Sequence, residues 1–216
     1  MPMSIKVEVW GDYACFSRPE MKVERVSYDV MTPSAARGIL EAIYWHPGLK
    51  WRIDKIHVMN NIAFTNLRRN EVSSKLSGAA AKAAMLGSAE PLEIITSDNI
   101  VQRAAMLLTD VRYVIEAHFE LTEQAAPGDN EGKFQDIMKR RLERGQCYHT
   151  PCFGCREFPA SFHRFEGEPA AAPINADLGY MLYDMDYSDP KNISPMFFRA
   201  KLQNGVLDLR DCEVVR

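Results

Sequence analysis

TPSAARGILEAIYWHPGLKWRI, residues 32–53, is the stretch on which the fold prediction depends. Thr32 followed by Pro33 is typical of a helix start, with Thr32 as the N-cap and Pro33 in the first turn. Apolar residues then recur with helical spacing, and Pro47-Gly48 is predicted to end the helix. The apolar positions from Trp51 to Ile62 favour a β-strand. The corner between them, Tyr44 to Pro47, carries two aromatic rings and an imidazole.

Apolar patterns on both sides extend this corner into a sheet. Residues Ile5 to Trp10 alternate and predict a strand before the helix. Two apolar runs, Ile100 to Leu108 and Arg112 to Leu121, are separated by Thr109-Asp110 and predict a hairpin. Residues Glu131 to Arg144 have an amphipathic helical pattern, with basic residues near the C-terminal end where they suit the helix dipole.

The order of these elements indicates the fold class. Gly145 is predicted to stop the second helix, and a strand follows around Arg156 to Arg164. With the polar, alanine-rich segment at about 64–98 set aside as an excursion, the order is β-α-β-β-α-β. This is the order of the ferredoxin-like, or RRM-like, α+β fold. We predict that this domain covers residues 1–165 and that a short helix, Gly78 to Leu86, lies in the excursion.

The remainder, residues 166–216, is predicted to be a small C-terminal antiparallel β-sheet extension. Its three β-runs are Gly179 to Asp186, Met196 to Leu202 and Val206 to Leu209. Asn204-Gly205 joins the last two runs as a hairpin turn.

Composition limits the class of protein. With 216 residues, 46% hydrophobic and 25% charged, the chain has the size and balance of a globular domain with an appendage. No apolar run approaches the ~20 residues of a membrane-spanning helix. The first strand begins without a signal-peptide pattern, and the five cysteines are an odd number. These features predict a cytoplasmic protein with reduced thiols.

Charge is unevenly distributed along the chain. The net charge is −3, yet the segment from Lys50 to Lys82 has seven basic residues against two acidic ones, Asp54 and Glu71. Such a strip suits phosphate contacts on one face, although a solvated basic loop has the same composition. The candidate nucleic-acid contacts are Lys50, Arg52, Arg68, Arg69 and Lys75.

Two residues could carry acid–base chemistry. His118 shares a strand face with Glu116 and Glu120 by the period-two rule, so it is either a structural histidine or a proton donor suited to near-neutral pH. Tyr44, taken alone, fits a packed core position. His46 and His57 fit surface or packing positions. No Gly-rich phosphate loop, GxSxG or HExxH motif occurs in the sequence.

Three cysteines and a histidine cluster in residues 147–155, as CYHTPCFGC. Thiolates and imidazole can bind zinc, but the spacing is cramped and no second CxxC is present to complete a site. We therefore predict free thiols and no metal or other cofactor.

Four stretches carry a resemblance to a known family: WGDYACFSRPEMKVERVSYDVMTPSAARGILEAIYWHPGLKWRIDKI, LRRNEVSSK, QRAAMLLTDVRYVIEAHFEL and CREFPASF. In order and wording they resemble the CRISPR-associated Cas family five of subtype I-C, the d-type branch of the RAMP superfamily. The resemblance extends to about residue 163, and the C-terminal part matches more loosely.

The resemblance implies a fold, an activity and partners. Members have a ferredoxin-like N-terminal domain with a β-sheet extension. They cleave precursor CRISPR RNA at the base of the repeat hairpin without a metal. They then hold the 5′ handle of the mature crRNA beside the backbone and large subunits of the type I-C surveillance complex (Cascade). Other branches of the family only hold the 5′ handle, so a non-catalytic RNA-binding subunit is the alternative. A metal-dependent nuclease using the carboxylates or cysteines is a third class.

The resemblance also assigns roles to residues. The catalytic tyrosine corresponds to Tyr44 and the catalytic histidine to His118. A lysine expected beside the histidine is absent, because Glu116 and Ala117 stand there. We predict that Arg112, or an arginine of the basic excursion at about 64–98, contacts RNA and replaces this charge. In the implied reaction the ribose 2′-hydroxyl attacks phosphorus, His118 protonates the leaving oxygen and Tyr44 orients the 2′-hydroxyl.

Overall fold

A computed structural model describes residues 4–21, 23–88 and 91–216. In this range three helices and ten strands alternate, with a short 3-10 turn at Thr96–Asn99. The elements are β1 (Ile5–Ala14), β2 (Arg25–Val26), α1 (Pro33–Ile43), β3 (Leu49–Val58), β4 (Phe64–Val72), α2 (Gly78–Met85), β5 (Ile100–Leu121), α3 (Glu131–Arg144), β6 (Ser161–Arg164), β7 (Ala176–Asp186), β8 (Ser194–Leu202), β9 (Val206–Asp208) and β10 (Val214–Val215).

Helix α1 starts on the predicted signals. The Thr32 hydroxyl accepts a hydrogen bond from the Ala35 N–H at 3.2 Å, and Pro33 is the first helical residue. Such an N-cap contributes about 1 kcal/mol. The helix ends at Ile43, earlier than Pro47-Gly48, because the backbone of Tyr44 is already extended. The cap is thus Tyr44 itself, and the following residues form a loop that leads into β3.

Seven strands form one large sheet. Its order is β6-β1-β5-β3-β9, and β2 and β4 also pair with β5. The pairings of β1 with β5, β1 with β6, and β3 with β5 are all antiparallel. Strand β5 therefore lies between β1 and β3, at the centre of the sheet.

The predicted hairpin at Thr109-Asp110 is wrong. Residues Ile100–Leu121 form a single strand of 22 residues. Strand β1 pairs on both sides of the supposed turn, Tyr13 with Thr109 and Gly11 with Val111, so the chain does not reverse. Asp110 does adopt a left-handed conformation, with φ of 49°, but it lies within the continuous strand.

Helices α1 and α3 cover one face of the sheet. Phe134 and Met138 of α3 are fully buried, and the Phe134 ring lies 6.0 Å from that of Phe119 on β5. The left-handed Gly145, with φ of 62°, ends α3 as predicted. The Arg141 side chain donates to the Ile43 carbonyl oxygen and joins the two helices. We call the face turned away from α1 and α3 the outer face; it carries Lys6, Glu8 and Trp10 of β1 and Arg112, Glu116 and His118 of β5.

The C-terminal residues form a second sheet, but its three strands are not the three that were predicted. Its order is β10-β8-β7. The turn at Asn204-Gly205 is present, with φ of 48° and 73°, and Gln203 pairs with Val206. Strand β9, however, pairs with β3 in the large sheet, so the prediction that it belongs to the small sheet is wrong. The third strand is β10, which has only two residues and no sequence signal.

The chain divides into two compact units. One comprises Met1–Thr65 and Met106–Arg216; the other is Asn66–Ala105. The second unit contains most of β4 and all of α2. The sequence predicted the helix but not the strand. None of the residues of α2 is buried.

In the described part of the chain, no helix is both long and apolar enough to span a membrane.

Candidate functional site

Tyr44 lies in the loop that joins α1 to β3. The Tyr44 N–H donates to the Leu40 carbonyl oxygen at 2.8 Å. The Tyr44 carbonyl oxygen accepts a hydrogen bond from Trp51 Nε1 at 3.0 Å. The residue is only 6% exposed. Its ring packs 6.1 Å from the Phe134 ring, and the Arg141 guanidinium lies over it, 5.0 Å from the centroid. The Tyr44 ring is therefore packed against α3.

This packing limits the chemistry of the Tyr44 phenol. Burial raises its pKa above the ordinary 10.0, and the nearby Arg141 and Lys133 only partly oppose the shift. A phenol with a raised pKa is a poor proton acceptor near neutral pH. Tyr44 can orient another group through a hydrogen bond, but it is not suited to remove a proton.

His118 lies on the outer face of β5. Its strand neighbours Ala117 and Phe119 are buried, and Phe119 faces α3, so the imidazole points away from the helices. The Nδ1 atom lies 2.9 Å from both carboxylate oxygens of Asp54. About a fifth of the imidazole is accessible, at 22% relative exposure. An oriented and accessible imidazole is the arrangement that proton transfer requires.

A bulge in β3 brings Asp54 to His118. The pairing with β5 shifts between Ile53 and Lys55, which leaves Asp54 without a partner residue in β5 and lets its side chain turn toward the imidazole. A carboxylate only accepts hydrogen bonds, so we assign the shared proton to Nδ1 of His118. Nε2 is then the ring nitrogen left for another partner.

Tyr44 and His118 are not brought together. Among the described residues they share no hydrogen bond or ring contact, and they lie on opposite faces of the sheet. Both are near the same end of it, because Leu49 at the start of β3 pairs with Leu121 at the end of β5. Trp51, which binds the Tyr44 carbonyl, pairs with Phe119, the residue after His118.

Two of the predicted cationic residues, Lys50 and Arg52, lie beside His118. Arg52 is directly opposite His118 in the β3–β5 register, and its Nε donates to Glu120 at 2.9 Å. Lys50 pairs with the same Glu120 in the register. They also border a cavity of about 450 Å³ whose wall includes Arg37, Tyr183 and Tyr187.

Arg112 lies too far away to serve His118. It is six residues from His118 along β5, which is roughly 20 Å at ~3.3 Å per residue. Its Nε donates to Glu8 at 2.5 Å. The prediction that Arg112 replaces the missing charge at the histidine is therefore wrong, and Arg52 holds the position opposite His118.

Three predicted contacts lie in the unit of residues 66–105. Arg69 of β4 forms an ion pair with Glu71 at 3.2 Å. Arg68 and Lys75 are exposed. The structure does not test their binding to RNA, so this remains a prediction.

A second histidine–carboxylate pair was not identified from the sequence. His57 Nε2 lies 2.9 Å from a Glu116 oxygen, and Lys6 and Lys55 lie 3.6 and 3.7 Å from the same carboxylate. Burial lowers the pKa of His57, and Glu116 only partly opposes the shift. The segment 165–172 crosses this part of the sheet: the Phe165 N–H donates to the Lys6 carbonyl oxygen and the Ala172 N–H donates to the Val58 carbonyl oxygen. His57 is buried, so we interpret it as a packing histidine.

The cysteine cluster forms a packed turn. Cys147 is exposed and Cys152 and Cys155 are half-buried. A hydrogen bond with Cys15, together with burial, holds the pKa of the Cys155 thiol well above its usual value. Among the described residues, no group of three or more His, Cys, Asp or Glu side chains is arranged to hold a metal ion.

Comparison with known proteins assigns the chain to a family. Residues 4–210 match the family model for Cas5d, described as CRISPR-associated protein (Cas_Cas5). The CRISPR pre-crRNA endoribonuclease Cas5d of Mannheimia succiniciproducens is 48% identical over 97% of this chain and 96% of its own length. The Thermus thermophilus protein of the same name is 40% identical over 95% of this chain and 90% of its own length.

A solved structure of a CRISPR-associated protein has the same fold. It superposes with a TM-score of 0.71 over 100% of this chain and 97% of that one, at 22% identity. Family model, sequence relatives and fold agree over nearly the whole length. The chain belongs to the Cas5d family of CRISPR-associated proteins.

Proposed function

We propose that this chain is an endoribonuclease that cleaves precursor CRISPR RNA. The two relatives named above are pre-crRNA endoribonucleases and match nearly its whole length. Within the chain, the proposal rests on one observation: the imidazole of His118 is held at Nδ1 by Asp54 and is accessible on the outer face of the sheet.

We also propose that the first domain is ferredoxin-like. The strand order β6-β1-β5-β3, with α1 and α3 on one face, supports this assignment. The domain boundary at residue 165, the excursion at 64–98 and the C-terminal extension at 166–216 remain part of the proposal.

The reaction is an internal transesterification. The 2′-hydroxyl gives its proton to a water molecule and its oxygen bonds to the adjacent phosphorus. The bond from phosphorus to the 5′-oxygen breaks, and a 2′,3′-cyclic phosphate and a 5′-hydroxyl form. The nucleophile belongs to the RNA, so the protein positions it, moves protons and stabilises charge without a metal. Protonated His118 donates from Nε2 to the leaving 5′-oxygen, while Asp54 keeps the ring oriented through Nδ1.

Arg52 supplies the positive charge in this scheme. It lies opposite His118 and is partly exposed, so its guanidinium can reach the phosphorane oxygens. Lys50, Arg68, Arg69, Lys75 and Arg112 contact the RNA elsewhere. Recognition depends on hairpin shape and on unpaired bases next to it, because side chains cannot read the narrow major groove of A-form RNA.

Tyr44 orients the 2′-hydroxyl in the proposed reaction. Its raised pKa argues against a role as base. Because it faces α3 and His118 faces outward, RNA must pass around the end of the sheet where β3 begins and β5 ends to meet both. Because the two side chains lie on opposite faces, substituting one leaves the surroundings of the other intact, so their roles can be tested separately.

After cleavage the chain retains the 5′ handle of the mature crRNA. We propose that it does so in the cytoplasm, within the type I-C surveillance complex and beside its backbone and large subunits. The alternative is a subunit of the same complex that holds the 5′ handle without cleaving. The burial of Tyr44 and the absence of lysine at Glu116 and Ala117 favour that alternative.

The decisive experiment is incubation of the purified chain with its own repeat RNA in EDTA. Cleavage to a 2′,3′-cyclic phosphate supports the proposed enzyme, whereas tight binding without cleavage supports the alternative. A substrate with a 2′-deoxy sugar at the scissile nucleotide serves as the matched control. It should bind normally and remain intact; its cleavage would contradict attack by the 2′-hydroxyl.

A further inference from the structure

A large aromatic side chain is exposed on the outer face of the sheet, away from His118. Trp10 of β1 is 38% exposed, while its neighbour Val9 is fully buried on the helix side. In the register Trp10 pairs with Arg112 of β5 and with Ser161 of β6. An indole ring on an open sheet face is a platform on which unpaired bases stack.

The surroundings of Trp10 are held rigidly by a buried carboxylate. Glu8 is 2% exposed; it accepts from Arg112 Nε at 2.5 Å, and its other carboxylate oxygen lies 2.9 Å from His163 Nε2. The His163 ring meets the Trp10 ring edge-on, with centroids 5.2 Å apart. Among the described residues, the only hydrogen bond of the Arg112 side chain is from Nε to Glu8, so the terminal nitrogens of the guanidinium can serve a ligand.

These side chains surround a cavity. Its volume is about 390 Å³, within the roughly 300–1,000 Å³ of small-molecule sites. The polar and aromatic side chains in its wall, besides Glu8, are Trp10, Asp12, Asn60, Asp110, Arg112 and His163.

Two carboxylates belong to the wall of the cavity. Asp12 and Asp110 both line it, and they lie between the pairs Gly11–Val111 and Tyr13–Thr109 of β1 and β5. Asp110 is also left-handed, with φ of 49°, and Asn60 Nδ2 holds its carbonyl oxygen at 2.8 Å. Two exposed carboxylates in one cavity wall suit a ligand that offers hydrogen-bond donors.

The chemistry of the wall selects one base. The carboxylates repel phosphate and accept hydrogen bonds, and guanine presents two adjacent donors, N1–H and the N2 amino group, on its Watson–Crick edge. The O6 and N7 atoms on its other edge are the usual acceptors for arginine. Guanine can therefore satisfy Asp12 or Asp110 and Arg112 while its ring stacks on Trp10. Uracil offers a single ring N–H between two carbonyls and cannot do the same.

We propose that this cavity binds one unpaired guanine of the RNA. The proposal rests on the proposed function in that it takes RNA as the ligand. It gives Arg112 a base-reading role remote from the cleavage site at His118.

The test measures binding of short single-stranded RNAs that differ only in a central G, A, C or U. Wild type should prefer the G oligonucleotide, and Trp10→Ala should weaken its binding by about 5- to 100-fold, as expected for loss of one stacked base. Asp12→Asn should reduce the preference for G over U. Tyr180→Ala, which removes an aromatic ring that is 62% exposed on β7, is the matched control and should bind like wild type.

Circular dichroism checks the fold of each variant, and Trp10→Phe, which keeps a ring, should bind more tightly than Trp10→Ala. Equal affinity of folded Trp10→Ala and wild type, or equal binding of G and U by wild type, would overturn the guanine site. If wild type still cleaves repeat RNA in that case, only the guanine site fails. If wild type neither binds nor cleaves repeat RNA, the proposed function fails with it.

Discussion

Tyr44 and His118 occupy opposite faces of the large sheet in different environments. On the helix side, Tyr44 is packed between Phe134 and Arg141 and burial raises its pKa. On the outer face, His118 is held by Asp54, with Arg52 opposite it in the register. We infer from this difference that the two residues do not contribute equally to the proposed reaction. In that proposal His118 transfers a proton and Tyr44 chiefly packs.

The largest effect is expected from removing the imidazole. We expect His118→Ala to slow single-turnover cleavage of repeat RNA by about 10²- to 10⁴-fold, because general acid catalysis contributes that much. Binding of the uncleavable 2′-deoxy RNA should be unchanged. His149→Ala removes an exposed histidine as a control and should cleave at the wild-type rate. Wild-type cleavage by His118→Ala would remove this residue from the site.

Removing the packing that surrounds Tyr44 should affect stability. Phe134 is fully buried and its ring contacts Tyr44, His46 and Phe119. We expect Phe134→Ala to lower the free energy of unfolding by about 3–5 kcal/mol, measured by urea denaturation. Phe64→Ala, at a position 41% exposed on β4, should change it by less than about 0.5 kcal/mol. Similar losses in the two variants would show that α3 is not the support of the corner.

A smaller effect is expected at the hydroxyl of Tyr44. Tyr44→Phe keeps the packed ring and removes one hydrogen bond, so cleavage should slow by only about 3- to 10-fold. Trp45→Phe, at the exposed neighbouring position, should have no effect. If Tyr44→Phe slowed cleavage as much as His118→Ala, the two residues would act at one centre despite their different environments. No loss at all would limit Tyr44 to packing.

The smallest effect concerns the buried histidine of the outer face. Burial lowers the pKa of His57 in the folded chain below the 6.5 of the unfolded chain. When the pH falls below about 6.5, the unfolded chain therefore binds more protons than the folded chain, and the free energy of unfolding falls. We expect the melting temperature of wild type to drop between pH 7.5 and 5.5, and His57→Gln to drop less. His149→Gln, at an exposed position, should behave like wild type. An equal drop in all three proteins would assign the pH dependence to other groups.

Local signals in the sequence predicted much of the fold. Thr32 and Pro33 start α1, and Gly145 stops α3, because caps depend on residues only a few positions apart. Thr109-Asp110 has the composition of a turn, yet β1 pairs with β5 on both sides of it and β5 is one continuous strand. That pairing is non-local, so the sequence alone could not predict it.

The site was predictable only in part for the same reason. His118 was placed correctly beside Glu116 on one strand face. Its partner is Asp54, which reaches it through a bulge that a period-two pattern does not reveal. Arg112 shares that face, but its position along β5 and its bond to Glu8 separate it from His118.

The most direct test of the central claim, that His118 is the acid for the leaving oxygen, replaces the bridging 5′-oxygen of the scissile phosphate by sulfur. A thiolate leaves without being protonated, so loss of the acid should no longer matter. We expect His118→Ala to cleave the sulfur substrate at nearly the wild-type rate while remaining slow on ordinary RNA. If His118→Ala is equally impaired on both substrates, His118 is not the general acid.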